Sequence, residues 1–174
     1  MDIKKELLGS QIILLSFGDV DYKRGSMGIL KNFSGEKGIY VSLGITFPSI
    51  DNKLKQNGIN TEKIYYIDVA SGKVDNQKEE RCYHLSSPSA LTELSIVISD
   101  LLKEGYKYLF FDAVTNLMIY NNPTRTKKFV IDLANKMRKT KSRGVYFALH
   151  SDVTSNLIKS LGGFVDKSIQ IKLR

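Results

Sequence analysis

The sequence predicts an α/β fold: a mostly parallel central sheet flanked by helices on both faces. Three observations carry that prediction. Apolar runs of strand length recur at 11–16, 38–43, 63–69, 107–112 and 145–149. Segments with apolar residues at helical spacing separate them, and most of these segments close on glycine. The runs are nearly continuous in apolar character, which suits strands covered on both sides. Such alternation implies parallel strands joined by right-handed crossovers.

Taken in order, residues 2–9 (DIKKELLG) read as a short helix closed by Gly9, with Leu7 and Leu8 facing inward. Residues 11–16 form the first buried strand, 17–25 a loop, and 26–33 a short helix with Met27, Leu30 and Phe33 on one face. The second strand, 38–43, leads to a helix with Pro48 in its first turn, stopped by Asn57-Gly58. The third strand is 63–69. Residues 70–85 carry charges, Gly72 and no clear period, and read as a loop or lid-like insertion.

Ser87 as N-cap and Pro88 at the first position would open the next helix. Leu91, Leu94, Ile98, Leu101 and Leu102 give it an inner face, and Gly105 ends it. The strand at 107–112 ends in Asp112. Pro123 opens a long helix with Phe129, Val130, Leu133 and Met137 inside. After the strand at 145–149, a helix at 152–161 stops at Gly162-Gly163. Alternation at Ile169, Ile171 and Leu173 predicts an edge strand at the C-terminus, with antiparallel pairing allowed.

A length of 174 residues fits one domain, 1–174, with room for a substantial core. Neither linker nor internal repeat is visible. No apolar run approaches the ~20 residues of a membrane span. Asp2 and Glu6 interrupt the N-terminal segment, and no secretory signal is read. The single cysteine, Cys82, cannot form an internal disulfide, so a reducing cytoplasm is the simpler expectation. Cys82 reads as a small buried residue. Its rival role is a reactive thiol helped by His84, on the same strand face two residues on.

The net charge is +8, spread along the chain. Its densest cluster lies on the helix after Pro123: Lys127, Lys128, Lys136, Arg138 and Lys139, continued by Lys141 and Arg143. Such a face either contacts nucleic acid or is simply solvated.

Ligands of parallel sheets bind at the carboxyl ends of the strands. Those ends are 16–18, 43–46, 112–115 and 149–152. A phosphate-binding loop needs converging backbone N–H groups, a lysine for the terminal phosphates and a hydroxyl for magnesium. The segment after the first strand reads Gly18-Asp19-Val20-Asp21-Tyr22-Lys23-Arg24-Gly25-Ser26. Lys23-Arg24-Gly25 stands where Gly-Lys-Ser/Thr is required. Asp19 and Asp21 put negative charge where phosphate would lie, and Tyr22 adds bulk. Lys23, Arg24 and Ser26 remain as an improvised anion site. Asp112 either orients a magnesium ion or caps the following loop against Thr115 or Asn116. His150-Ser151-Asp152 has the residue types of a nucleophilic triad, but adjacent residues cannot converge as one. Ser151 suits a helix cap. No paired-cysteine metal pattern, HExxH or GxSxG is present.

Together these segments resemble the KaiC-like group of RecA-superfamily P-loop NTPases, which includes archaeal recombinase paralogues and the archaellum ATPase. IILLSFG is similar to the strand entering the phosphate loop, and KGIYVSLGITFPSIDNKLKQNGIN to the second strand and helix. KIYYIDVASG resembles the next strand, and KYLFFDAVTNLMIYNN the Walker B strand and the segment after it. GVYFALHSDVTSNLIKSLGGFVDKSIQI is similar to the closing strand, helix and strand. The resemblance runs from about Ser10 onward and implies a RecA-like fold.

Two departures stand beside it. The Gly-Lys-Thr of the Walker A loop is absent. Gly44 and Ile45 occupy the place of the family's catalytic glutamate, and neither can polarise a water. Asp112 keeps the Walker B aspartate, and His150 or Ser151 holds the position that can sense the terminal phosphate. The resemblance with these losses implies a catalytically inactive domain with a degenerate Walker A motif. Its partner would be a protein, itself or an active homologue, in a regulatory or assembly role. No cofactor is expected. ATP and magnesium would enter only if the divergent segment still binds, through a vestigial site of Gly18, Lys23, Arg24, Ser26 and Asp112. The rivals are a divergent ATPase using Lys23 or Arg24 with Asp112, and a DNA-binding recombinase accessory using the basic helix.

Overall fold

The computed structural model describes residues 2–72 and 80–172. Its strands are β1 (Ile12–Phe17), β2 (Gly38–Ser42), β3 (Ile64–Asp68), β4 (Cys82–His84), β5 (Tyr108–Asp112), β6 (Arg143–Leu149) and β7 (Lys167–Ile171). Its α-helices are α1 (Ile3–Glu6), α2 (Asp19–Leu30), α3 (Phe47–Gln56), α4 (Leu91–Lys103), α5 (Pro123–Thr140) and α6 (Ser155–Gly162). The strands form one sheet in the order β4-β3-β2-β5-β6-β1-β7. Every pairing in it is parallel.

All six residues of β1 and all five of β2 are buried, as their unbroken apolar runs require. Successive side chains point to opposite faces. Ile12 and Leu14 join the core under α4, α5 and α6, with Leu94, Ile98, Leu133 and Met137. Ile13, Leu15 and Phe17 join the core under α1, α2 and α3, with Ile3, Met27, Ile50 and Leu54. Among the described residues no helix is long and apolar enough to cross a membrane.

Several expectations change. The C-terminal strand is parallel: Ile13 to Phe17 of β1 align with Lys167 to Ile171 of β7. Helix α6 carries the chain back across the sheet before β7 begins, which is what a parallel neighbour needs. The Asp166 carboxylate fixes the entry by accepting from the N–H groups of Gln11 and Ile12, at 2.8 and 2.9 Å.

Residues 82–84 are not loop but strand β4, paired to β3 through Tyr66↔Cys82 and Asp68↔His84. The remainder of the lid expectation includes 73–79, which lie outside the described residues. Helix α4 begins at Leu91, later than Ser87 and Pro88 suggest. Those two belong to a turn closed by Ala90 N–H donating to Ser87 C=O at 2.9 Å. Leu7 is buried as expected, but Leu8 points to solvent.

The largest change concerns 17–25. This is not a loop: α2 starts at Asp19, and Gly18 alone separates it from β1. Asp19 and Asp21 sit in the first turn, where carboxylates favour the helix dipole. Gly25 is buried within α2, and a Cβ there would lie 2.3 Å from Phe17 Cε1. A bare α-carbon therefore lets α2 lie against the Phe17 ring.

Candidate functional site

Strands β1, β2, β5 and β6 present their carboxyl ends side by side, the place where this architecture binds ligands. With no loop after β1, the residues expected to cradle an anion ride on helix α2. Lys23 and Arg24 are exposed on its outer side. Ser26 is buried, and its hydroxyl donates to the Lys23 carbonyl at 3.3 Å. Gly18 holds the N-cap position of α2 and accepts from Asp21 N–H and Tyr22 N–H, both at 3.1 Å.

Asp112 ends β5 facing α2. Neither Thr115 nor Asn116 is its partner. The Tyr22 hydroxyl donates to Asp112 Oδ1, and the Tyr40 hydroxyl donates to Asp112 Oδ2. Tyr22 comes from the first turns of α2 and Tyr40 from the middle of β2, where it is fully buried. Thr115 instead ties β5 to β6, its hydroxyl oxygen accepting from Leu149 N–H at 3.0 Å.

Burial pushes the Asp112 carboxyl above its ordinary pKa, opposed by the two tyrosine hydroxyls and the charge of Lys53. Burial, then the charge of Asp112, raises both tyrosines well above their ordinary value. The trio is a carboxyl whose two oxygens are already occupied by phenol donors. A cavity of about 140 Å³ adjoins it, bounded among others by Lys23, Ser42, Gly44, Lys53 and Asn116. A Cβ on Gly44 would meet only Asn116 Nδ2, at 3.7 Å, so room for a larger residue exists there.

Farther along the edge, His150 N–H donates to Phe17 C=O at 2.7 Å, joining β6 to β1. Ser151 and Thr154 exchange hydrogen bonds, Ser151 N–H to Thr154 Oγ1 at 2.9 Å and Thr154 N–H to Ser151 Oγ at 3.3 Å. Ser151 thus closes the turn before α6, and Asp152 is exposed beside it.

The basic face of α5 is not one surface. Lys136 reaches into α4, donating to Ser95 Oγ at 2.6 Å and Ser99 Oγ at 3.1 Å. Arg138 donates to Asp166 Oδ1 and to the Phe164 carbonyl, both at 2.9 Å. Lys127 lies over the Phe164 ring, 5.4 Å from its centroid. Lys128 and Lys139 remain exposed.

A different group of cations meets on the other side of the molecule. Lys23, Arg24, Lys31 and Lys53 line an open groove of about 460 Å³ between α2 and α3. Sequence reasoning missed it, because Lys53 is 22 positions or more from the other three and only the packing of α3 on α2 joins them. Tyr40 was missed for the same reason: it read as one more apolar strand residue.

No protein-family model matches the sequence, and no curated protein does. Among solved structures the chain is similar to a KaiC-like protein from the hyperthermophilic archaeon Pyrococcus horikoshii. The TM-score is 0.58 and the identity 14%, over 80% of this chain and 61% of that one. The chain therefore has a KaiC-like, RecA-type fold, and it spans about three-fifths of the length of the structure it matches.

Proposed function

We propose that this KaiC/RecA-like domain no longer hydrolyses nucleotide and acts by binding protein, either a second copy or an active homologue, in a regulatory or assembly role. The observation that carries the proposal is the closure of Asp112. A carboxylate that orients magnesium or its water must face the open ligand edge. Here the Tyr22 and Tyr40 phenols stand against both of its oxygens, and Tyr22 comes from the segment that should be an open loop. The helix beginning directly at Asp19 leaves no chain to wrap a phosphate.

The same edge carries apolar side chains in water. Val20 is 94% exposed after β1, Val153 78% after β6 and Ile119 71% after β5, three neighbouring strands. Exposed apolar groups gathered at one edge suit a protein contact.

ATP with magnesium decides the first half of the proposal. A ligand bound only by the native state raises the melting temperature. No shift at millimolar nucleotide is expected, and a clear rise would replace the proposal with a divergent nucleotide-binding ATPase. One observation favours that second reading: Lys23 and Lys53 border the cavity beside Asp112.

A further inference from the structure

We infer that Asp68, Cys82 and His84 form a zinc site at the β3–β4 edge of the sheet. One ligand atom from each lies within 4.8 Å of the other two, and all three residues are buried. The register of the two strands produces this. Asp68 stands opposite His84, and Cys82, two residues earlier, shares the His84 face. The chemistry of the trio points to one class of ion. Thiolate, imidazole and carboxylate together suit zinc, whereas calcium and magnesium take oxygen ligands.

The geometry is close to what zinc requires. Zinc binds sulfur, nitrogen and oxygen at about 2.0–2.3 Å, so ligand atoms around a tetrahedral ion stand roughly 3.3–3.8 Å apart. His84 Nδ1 and Asp68 Oδ2 are already 3.6 Å apart. The widest pair has to close by no more than about 1 Å to reach tetrahedral spacing.

The surroundings hold the ligands in orientation. Asp68 Oδ1 accepts from the N–H groups of Ala70 and Ser71, both at 2.9 Å. Asp68 Oδ2 accepts from Phe47 N–H at 2.8 Å, at the start of α3. Such supporting bonds fix a ligand's direction and strengthen metal binding. The Ser71 hydroxyl, 3.0 Å from His84 Nδ1, would turn away to yield that nitrogen to the ion. On binding, the Cys82 thiol loses its proton to solvent and its sulfur bonds the ion, so affinity falls as the medium is acidified. This site is separate from Asp112 and independent of whether nucleotide binds.

Cobalt reports on it directly. The full chain, stripped with a chelator, is titrated with Co(II). The expected result is a near-ultraviolet thiolate-to-cobalt charge-transfer band that saturates at one equivalent and is displaced by zinc. Cys82→Ala abolishes the band, and Ser71→Ala, which frees His84 Nδ1, keeps it. Zinc alone raises the melting temperature of the unsubstituted protein. The inference is overturned if that protein gives no thiolate band, if the band survives in Cys82→Ala, or if zinc leaves the melting temperature unchanged. The first and third readings need no variant, so a Cys82→Ala chain that fails to fold does not shelter the inference.

Discussion

The Tyr22 hydroxyl donates to Asp112 Oδ1 across 90 residues of sequence, fastening the start of α2 to the end of β5. The carboxyl group that a nucleotide-hydrolysing sheet would offer to a metal here serves as an acceptor inside the protein. The bond closes a ligand edge and also supplies stability, and both effects are measurable.

Tyr22→Phe removes one donor and leaves Asp112 Oδ1 in a buried setting with its partner gone. A loss of about 1–3 kcal/mol is expected from such an unsatisfied group. Urea titration of the two proteins measures it. Equal midpoints would mean that water replaces the hydroxyl without cost.

The pH dependence has a defined sign on the alkaline side. Tyr22 and Tyr40 hold their protons in the folded state well above the ordinary tyrosine range. In the unfolded chain they ionise near pH ~10. Above that pH the unfolded state binds fewer protons than the folded one, and stability falls as pH rises. Melting temperature followed from pH 8 to 11 should drop more steeply for the natural chain than for Tyr22→Phe.

Gly25→Ala tests the approach of α2 to β1. In an exposed helix interior this change gains up to about 1 kcal/mol. Here the new methyl would lie 2.3 Å from Phe17 Cε1. Phe17 is fully buried and packs against both Tyr22 and Phe147, so its ring has little freedom to yield. A net destabilisation of about 1–3 kcal/mol is expected, as for other overpacked cores. A stabilised variant would show that the ring moves.

Val20→Asp and Val153→Asp test the contact edge. Both side chains are exposed, so folding should change by less than about 0.5 kcal/mol. Self-association, read by light scattering across a dilution series, should weaken markedly in each. Should the natural chain be monomeric at every concentration, the same variants are to be tested for loss of binding to an active homologue.

Strands β1, β2, β3, β5 and β6 were legible because each is a short apolar run with a helical period on either side. The first part of helix α2 was not, because Gly18 and Gly25 bounded a segment that read as a loop. Gly18 precedes the helix, and Gly25 is needed for contact with Phe17, which no local pattern reveals. The direction of β7 escaped for a related reason. Its alternating exposure follows from lying at an edge, and edge position says nothing of polarity. At the candidate site, Asp112 was legible as a polar residue closing an apolar strand. Its tyrosine partners were not, since they sit 90 and 72 positions away and are chosen by packing alone. Asp68, Cys82 and His84 show the same limit: their ligand atoms meet only once β4 pairs with β3.

The place of β1 between β6 and β7 has a consequence for synthesis. Strand β1 is made well before both of its neighbours, with Gln11 and Asp166 separated by 155 residues. At about 5–20 residues per second that separation is roughly 8–30 s. During this time a strand destined for burial at all six positions lacks its neighbours in the sheet, which leaves Ile12–Phe17 in need of chaperone cover on the nascent polypeptide.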